Sequence, residues 1–299
     1  MRILLLGANG QLGKTLSGKL AALGDVKACT RTETDLTDAA SIRRTIDSYQ
    51  PDIIVNAAAY TAVDKAETER ELAFQVNAEA VGVLSQEAAQ RDIWLIHYST
   101  DYVFDGSKTE PYSETDPPLP VNVYGESKLA GEQAVKNSGC KHLIFRTTWV
   151  IGPHGQNFAR TILRLAKERP ELNIINDQFG VPATPALIAR VTADAISAIS
   201  TGSAWPGGLY HLTPQGATSW FGIARTLLHL AAQKGVPLTA GQDAIHPIPT
   251  DAYPTPARRP ANSLLNTGKL QQHISFDLPD WESEFLKVAE VIIEESKST

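Results

Sequence analysis

The chain has 299 residues, 42% of them hydrophobic and 20% charged, an ordinary globular composition that excludes wholesale disorder and collagen-like repeats. Its formal charge of −6, from 33 acids against 27 bases, speaks against a general nucleic-acid or membrane-surface role. Two cysteines, Cys29 and Cys140, cannot build a disulfide framework or a four-thiolate zinc site.

Read along the chain, short apolar runs alternate with helical patterns. Arg2–Leu6 reads as a strand, followed by a helix over Gln11–Leu23, a strand over Val26–Thr30 and a helix over Ala39–Tyr49. Asp52–Ala57 reads as a strand, Glu69–Arg91 as a helix and Trp94–Ser99 as a strand. A proline-rich loop from Pro111 to Pro120 precedes a helix over Tyr124–Asn137 and a strand over His142–Thr147. The strands are apolar on both sides of their alternation, as buried parallel strands are. The expectation is an α/β fold, a doubly wound parallel sheet of the Rossmann type, with residues 1–150 as the dinucleotide-binding domain.

After about Trp149 the rhythm changes. Helices are expected at Gln156–Glu168, Pro185–Ile199, Ser219–Lys234 and Trp281–Glu295, with short strands at Leu172–Ile175 and Leu209–Leu212. Ile245–Pro260, with five prolines, reads as a long extended loop. Residues 151–299 are expected to form a smaller substrate-binding region, with room for interleaving between the two. The N-terminal apolar run is too short for a secretory signal, and no window approaches the ~18 apolar residues of a membrane span. With two free thiols, the expected compartment is the cytoplasm.

The chemistry begins at Gly7-Ala-Asn-Gly10-Gln-Leu-Gly13, which follows the first strand and opens the first helix. Glycines there permit a tight turn and let the backbone approach a pyrophosphate seated on the helix N-terminus. Tyr124-Gly-Glu-Ser-Lys128 places a phenol and an ammonium on one helical face, where the cation is expected to lower the phenol's pKa and suit it to proton donation. Thr100, just past the fourth strand, offers a hydroxyl to a substrate carbonyl at the sheet edge where open α/β folds bind ligands. Ala57, Ala58 and Ala59 follow the third strand and leave room for a dinucleotide, although simple packing explains them equally well in isolation. Asp35 either belongs to a helix cap or reaches the adenine amino group. The seven histidines show no metal-ligand spacing, so no catalytic metal is expected.

On these marks the chain resembles the dTDP-4-dehydrorhamnose reductases of the extended short-chain dehydrogenase/reductase superfamily, over essentially its full length. The resemblance also rests on Asp52–Asp64, His97–Phe104, Asn122–Glu132, Phe145–Trp149, Ile175–Gly180, Gly208–Leu212 and Tyr253–Pro260. It implies NAD(P)H-dependent reduction of the 4-keto group of dTDP-4-dehydro-β-L-rhamnose, in a monomer or homodimer. By position, Thr100, Tyr124 and Lys128 would form the catalytic set, and Thr100, Asp101 and Trp149 would contact the sugar. Gly10, Gln11, Leu12, Asp35, Leu36, Ala59, Tyr60, Thr61, Tyr98, Tyr124 and Lys128 would hold the cofactor.

Two departures shape the expectation. Many relatives carry an acid near the end of the second strand, where this chain has Thr30-Arg31; Arg31 favours NADPH, with NADH possible. Lys14-Thr15 stands where some relatives place an acid that helps bridge a dimer through a cation. A nucleotide-sugar dehydratase is disfavoured because Tyr102 occupies the position of its catalytic glutamate. The remaining alternatives are another nucleotide-sugar reductase or epimerase and a non-catalytic cofactor-binding subunit. The intact Thr100, Tyr124 and Lys128 argue against the last.

Overall fold

A computed structural model describes residues 1–202 and 205–297. The first half reads β1 (Arg2–Leu6), α1 (Gln11–Leu20), β2 (Asp25–Cys29), α2 (Ala39–Tyr49), β3 (Ile53–Asn56), α3 (Val63–Ala66), α4 (Arg70–Phe74), α5 (Ala80–Gln90), β4 (Trp94–Thr100), α6 (Val123–Ser138) and β5 (Lys141–Thr147). There follow α7 (Phe158–Glu168), β6 (Leu172–Ile175), β7 (Phe179–Gly180), α8 (Pro185–Ser200), β8 (Gly208–His211), β9 (Thr218–Ser219), α9 (Trp220–Gln233), β10 (Ile245–Ile248), α10 (Gly268–Gln271) and α11 (Trp281–Lys297).

Six parallel strands form one sheet in the order β2-β1-β3-β4-β5-β8. The two-residue period of β1 explains why it is apolar throughout. Ile3 and Leu5 enter the core shared with α1 and α8, while Leu4 and Leu6 enter the core on the opposite face with Ile42, Ile46 and Leu84. The strand order reverses between β1 and β3, which opens a crevice at their C-terminal ends. A second core gathers α7, α9 and α11 around the parallel pair β6–β10.

Local signals account for the boundaries. Asp38, three residues beyond Asp35, is the N-cap of α2 and accepts from Ala40 N–H. Asn122 caps α6 by accepting from Gly125 N–H, and Gly139 ends that helix in the left-handed conformation. The helix expected over Glu69–Arg91 starts at Arg70 and contains a π turn at Gln75–Glu79. One further expectation needs correction. Ile245–Ile248, read as loop, is a strand against β6, because Pro247 sits at an edge where its missing donor is tolerated. The strand expected at Leu209–Leu212 belongs to the large sheet as its sixth member, and α8 packs beside α1 under that same sheet. Among the described residues no helix is long and apolar enough to cross a membrane.

Candidate active site

A cavity of about 730 Å³ lies over the crevice between β1 and β3. Gly7 turns the chain out of β1 at φ +79°, and a Cβ there would lie 2.7 Å from the backbone of Ala58. The β1 and β3 loops therefore touch, and only glycine fits. Gly10 precedes α1 without a side-chain cap, so the first N–H groups of that helix are free to receive an anion. Gly7, Gly10, Gln11, Leu12, Ala57, Ala58 and Ala59 all line the cavity. Gly13 does not: it packs α1 onto the turn, where a Cβ would lie 2.0 Å from the Gly7 carbonyl oxygen. The small side chains and the uncapped helix turn fit a dinucleotide.

Arg31, Asp35 and Leu36 form the far end of this half, beside β2. Arg31 is 75% exposed and lies 4.0 Å from Asp35. The Asp35 carboxylate accepts from Thr37 N–H and Thr37 Oγ1–H, which hold its pKa below the usual range, with Arg31 adding a smaller effect. Sequence reasoning missed Glu33. Its carboxylate folds back to accept from Thr30 N–H at 2.6 Å and from the Thr30 hydroxyl, so an acid does stand at the end of β2.

The catalytic candidates converge in the middle of the cavity. Thr100 ends β4, and Tyr124 and Lys128 lie one turn apart on α6. The approach of α6 depends on Gly125, where a Cβ would sit 2.1 Å from the Tyr102 carbonyl oxygen. Thr100 Oγ1 donates to Asp101 Oδ1 at 2.9 Å and accepts from Tyr102 N–H at 3.2 Å. Burial pushes Asp101 up to about 6, against hydrogen bonds from Ser263 and Thr100 that act the other way.

Lys128 is buried and donates to the Tyr98 carbonyl at 2.7 Å, with His97 Nε2 at 3.4 Å. Burial lowers its pKa to about 8, while the charge of Glu132 one turn along works in the opposite direction. Glu132 is itself clamped by Arg146 through two 2.7 Å bonds, a fully buried pair beneath the site. The expected lowering of the Tyr124 phenol by Lys128 is not what the geometry gives. The phenol is pushed upward by burial and then by the charge of Asp101, with only the Thr100 hydroxyl opposing, because the Lys128 ammonium is turned to the Tyr98 carbonyl.

The family model described as RmlD substrate binding domain matches residues 1–293. A dTDP-4-dehydrorhamnose reductase from Burkholderia thailandensis is 49% identical, covering 94% of this chain and 95% of its own. The chain belongs to the dTDP-4-dehydrorhamnose reductase family. A reductase of that name from Escherichia coli K12 is also 49% identical over the same shares of the two chains. The solved dTDP-4-dehydrorhamnose reductase from Bacillus anthracis, a complex with NADP, superposes with a TM-score of 0.85 at 33% identity, covering 96% of this chain and 98% of that one.

Of the positions that likeness to the dTDP-4-dehydrorhamnose reductases had suggested for sugar and cofactor, Tyr60, Thr61, Tyr98, Asp101 and Trp149 all face the same cavity. Trp149 adopts φ +35°, uncommon for a bulky residue, and stacks on Trp220 with ring centroids 3.9 Å apart. Phe158 leans on Trp220 at 4.7 Å, so three rings form the wall beyond β5. Trp220 and Phe158 escaped the sequence reading because each looks locally like the first residue of an amphipathic helix. Arg259 caps an acid, gripping Asp64 with bonds of 3.0 and 2.8 Å.

Proposed function

We propose that this protein reduces the 4-keto group of dTDP-4-dehydro-β-L-rhamnose to give dTDP-L-rhamnose, using NADPH in preference to NADH. The observation that carries the reading is the meeting of Thr100, Tyr124 and Lys128 in one cavity with the Gly7 turn and Ala57–Ala59. When bound, the reduced dinucleotide supplies a hydride. Gly10, Gln11 and Leu12 receive its pyrophosphate on the α1 N-terminus, and Ala57, Ala58 and Ala59 leave its path clear. Arg31 takes the 2′-phosphate through a planar fork of donors suited to it, and Asp35 and Leu36 border the adenine. Tyr60, Thr61 and Tyr98 complete the bed, and Lys128 reaches the ribose.

The proton comes from Tyr124. Its phenol shares the cavity with Thr100 and Lys128 and gives its proton to the C4 oxygen as that carbon is reduced. The Thr100 hydroxyl, between Asp101 and Tyr124, fixes the phenol's direction. Asp101 and the apolar face of Trp149 hold the sugar. From residues 151–299, Phe158 and Trp220 back the Trp149 side of the cavity, while α8 and β8 serve the large sheet. The two free, buried thiols suit a reducing cytoplasm, and the protein acts there as a monomer or homodimer.

The test is direct. Purified protein is given the 4-keto-6-deoxy sugar nucleotide, and absorbance of the reduced coenzyme is followed. Oxidation that depends on the sugar supports the reading. No oxidation with any dTDP-linked 4-keto sugar, while the coenzyme binds, would remove it.

A further inference from the structure

Gln11 opens α1, yet its side chain is bound by residues far along the chain. Its Oε1 accepts from Gly152 N–H at 2.9 Å and from Asn157 Nδ2 at 3.2 Å. Asn157 also donates from Nδ2 to the Gly152 carbonyl at 2.8 Å, and its Oδ1 caps α7 by accepting from Arg160 N–H. One side chain from the dinucleotide loop thus closes a ring of hydrogen bonds on the opposite wall of the cavity.

The segment it holds is the one that carries the aromatic wall. Trp149 enters it and Phe158 leaves it, and both rings rest on Trp220. Its other fastenings include Ile151 N–H to the Ala183 carbonyl and the Thr148 hydroxyl to the Val181 carbonyl, which tie it to the chain ahead of α8, and Arg160 to the Pro153 carbonyl. Among the described residues, the hydrogen bonds that tie it to the loop at the head of α1 come from Gln11. That loop has no side-chain cap of its own, so an anion seated there orders the turn on which Gln11 stands. Ordering the turn also fixes where Gly152 and Asn157 are held.

We propose that Gln11 is a positioning residue through which the dinucleotide loop sets the Trp149–Trp220–Phe158 wall, so that coenzyme and sugar nucleotide bind with mutual dependence. The proposal rests on the reading of the two ligands given above. Coupling of this kind is reciprocal: each ligand changes the affinity of the other by the same factor.

The experiment measures that factor by calorimetry, with NADPH and with dTDP-L-rhamnose, which carries the sugar and cannot be reduced further by the coenzyme. In the parent, saturating NADPH should tighten dTDP-L-rhamnose binding about fivefold or more, the low end of ordinary coupling, and dTDP-L-rhamnose should tighten NADPH equally. Gln11→Met keeps the length and the backbone N–H at the head of α1 and removes the acceptor; whatever each ligand's affinity alone becomes, the factor should fall to within about twofold of one. Asn157→Ser keeps an oxygen to cap α7 and deletes the Nδ2 donor. It should reduce the factor alone and add nothing on top of Gln11→Met. A factor of one in the parent, or an unchanged factor in Gln11→Met, overturns the positioning role. If that variant fails to fold, an undiminished factor in Asn157→Ser overturns it. Failure of the parent to bind NADPH or dTDP-L-rhamnose instead removes the functional reading beneath it.

Discussion

Asp101 should cost the protein stability, and Asp101→Asn should recover it. The carboxyl is buried, and the Thr100 hydroxyl and Ser263 offset only part of the cost of holding its charge there. Its pKa rises from 3.8 to about 6, chiefly through burial. A rise of that size corresponds to roughly 3 kcal/mol between the two protonation states. The sign follows from linkage. Below the unfolded pKa the group is neutral in both states and carries no penalty. As pH climbs towards 6 the unfolded chain releases its proton first, and stability is lost through that window. Asparagine keeps an acceptor for Thr100 and has no charge to desolvate. Asp101→Asn should therefore gain up to about 3 kcal/mol at pH 8 and almost nothing at pH 4. For a chain of this size that is a rise in Tm of roughly 5 °C or more at pH 8. Thermal unfolding of parent and variant across this range measures it, and turnover measured alongside should fall, since Asp101 is proposed to hold the sugar. A gain of equal size at pH 4 and pH 8, or no gain at pH 8, would refute the reasoning.

Tyr124→Phe keeps the ring against Tyr102 and removes the proposed proton donor; kcat should fall roughly 10²–10⁴-fold with NADPH affinity nearly unchanged, and near-native turnover would clear Tyr124 of the role. Lys128, with a pKa of about 8, should give coenzyme binding an alkaline limb, lost as pH rises through that value. Lys128→Met should weaken NADPH binding and abolish the limb; a limb that survives in the variant assigns it elsewhere. At low salt the parent should prefer NADPH over NADH by roughly ten- to a hundredfold in kcat/KM, Arg31→Ala should lose most of that ratio, and added salt should erode it in the parent. An unmoved ratio in Arg31→Ala would shift attention to Glu33, which stands at the same strand end.

The dinucleotide half was legible because its signals are local. A strand buried on both faces, a glycine turn and a helix start occupy adjacent residues in Arg2–Leu20, and Tyr124 and Lys128 are paired by helical period alone. What stayed hidden was set by partners distant in sequence. Nothing in Gly208–His211 says that it pairs with β5, and Pro247 concealed a strand whose other face is covered by the second core. Glu33 stays hidden because it lies beyond the end of β2, and its return to Thr30 depends on a turn. The direction of Lys128 was misjudged for a similar reason. Helical spacing puts it on the face of Tyr124, but the Tyr98 carbonyl, from a different element, decides where the ammonium points.

The placement of β8 at the end of the large sheet has a consequence for how the molecule is made. When Thr147 leaves the ribosome, β5 has one neighbour and one open edge, and the strand that closes it begins only at Gly208. At about 5–20 residues per second, that edge waits several seconds for its partner. Meanwhile β5 offers an unpaired row of N–H and C=O groups running through Leu143, Ile144 and Phe145 to any other nascent chain. The exposed Lys141 at its head is the one charge that blunts this edge from outside, since Arg146 is turned inward to Glu132. Chaperone demand during synthesis should therefore concentrate between residues 147 and 211, after the nucleotide loop has been written and before the sheet can close.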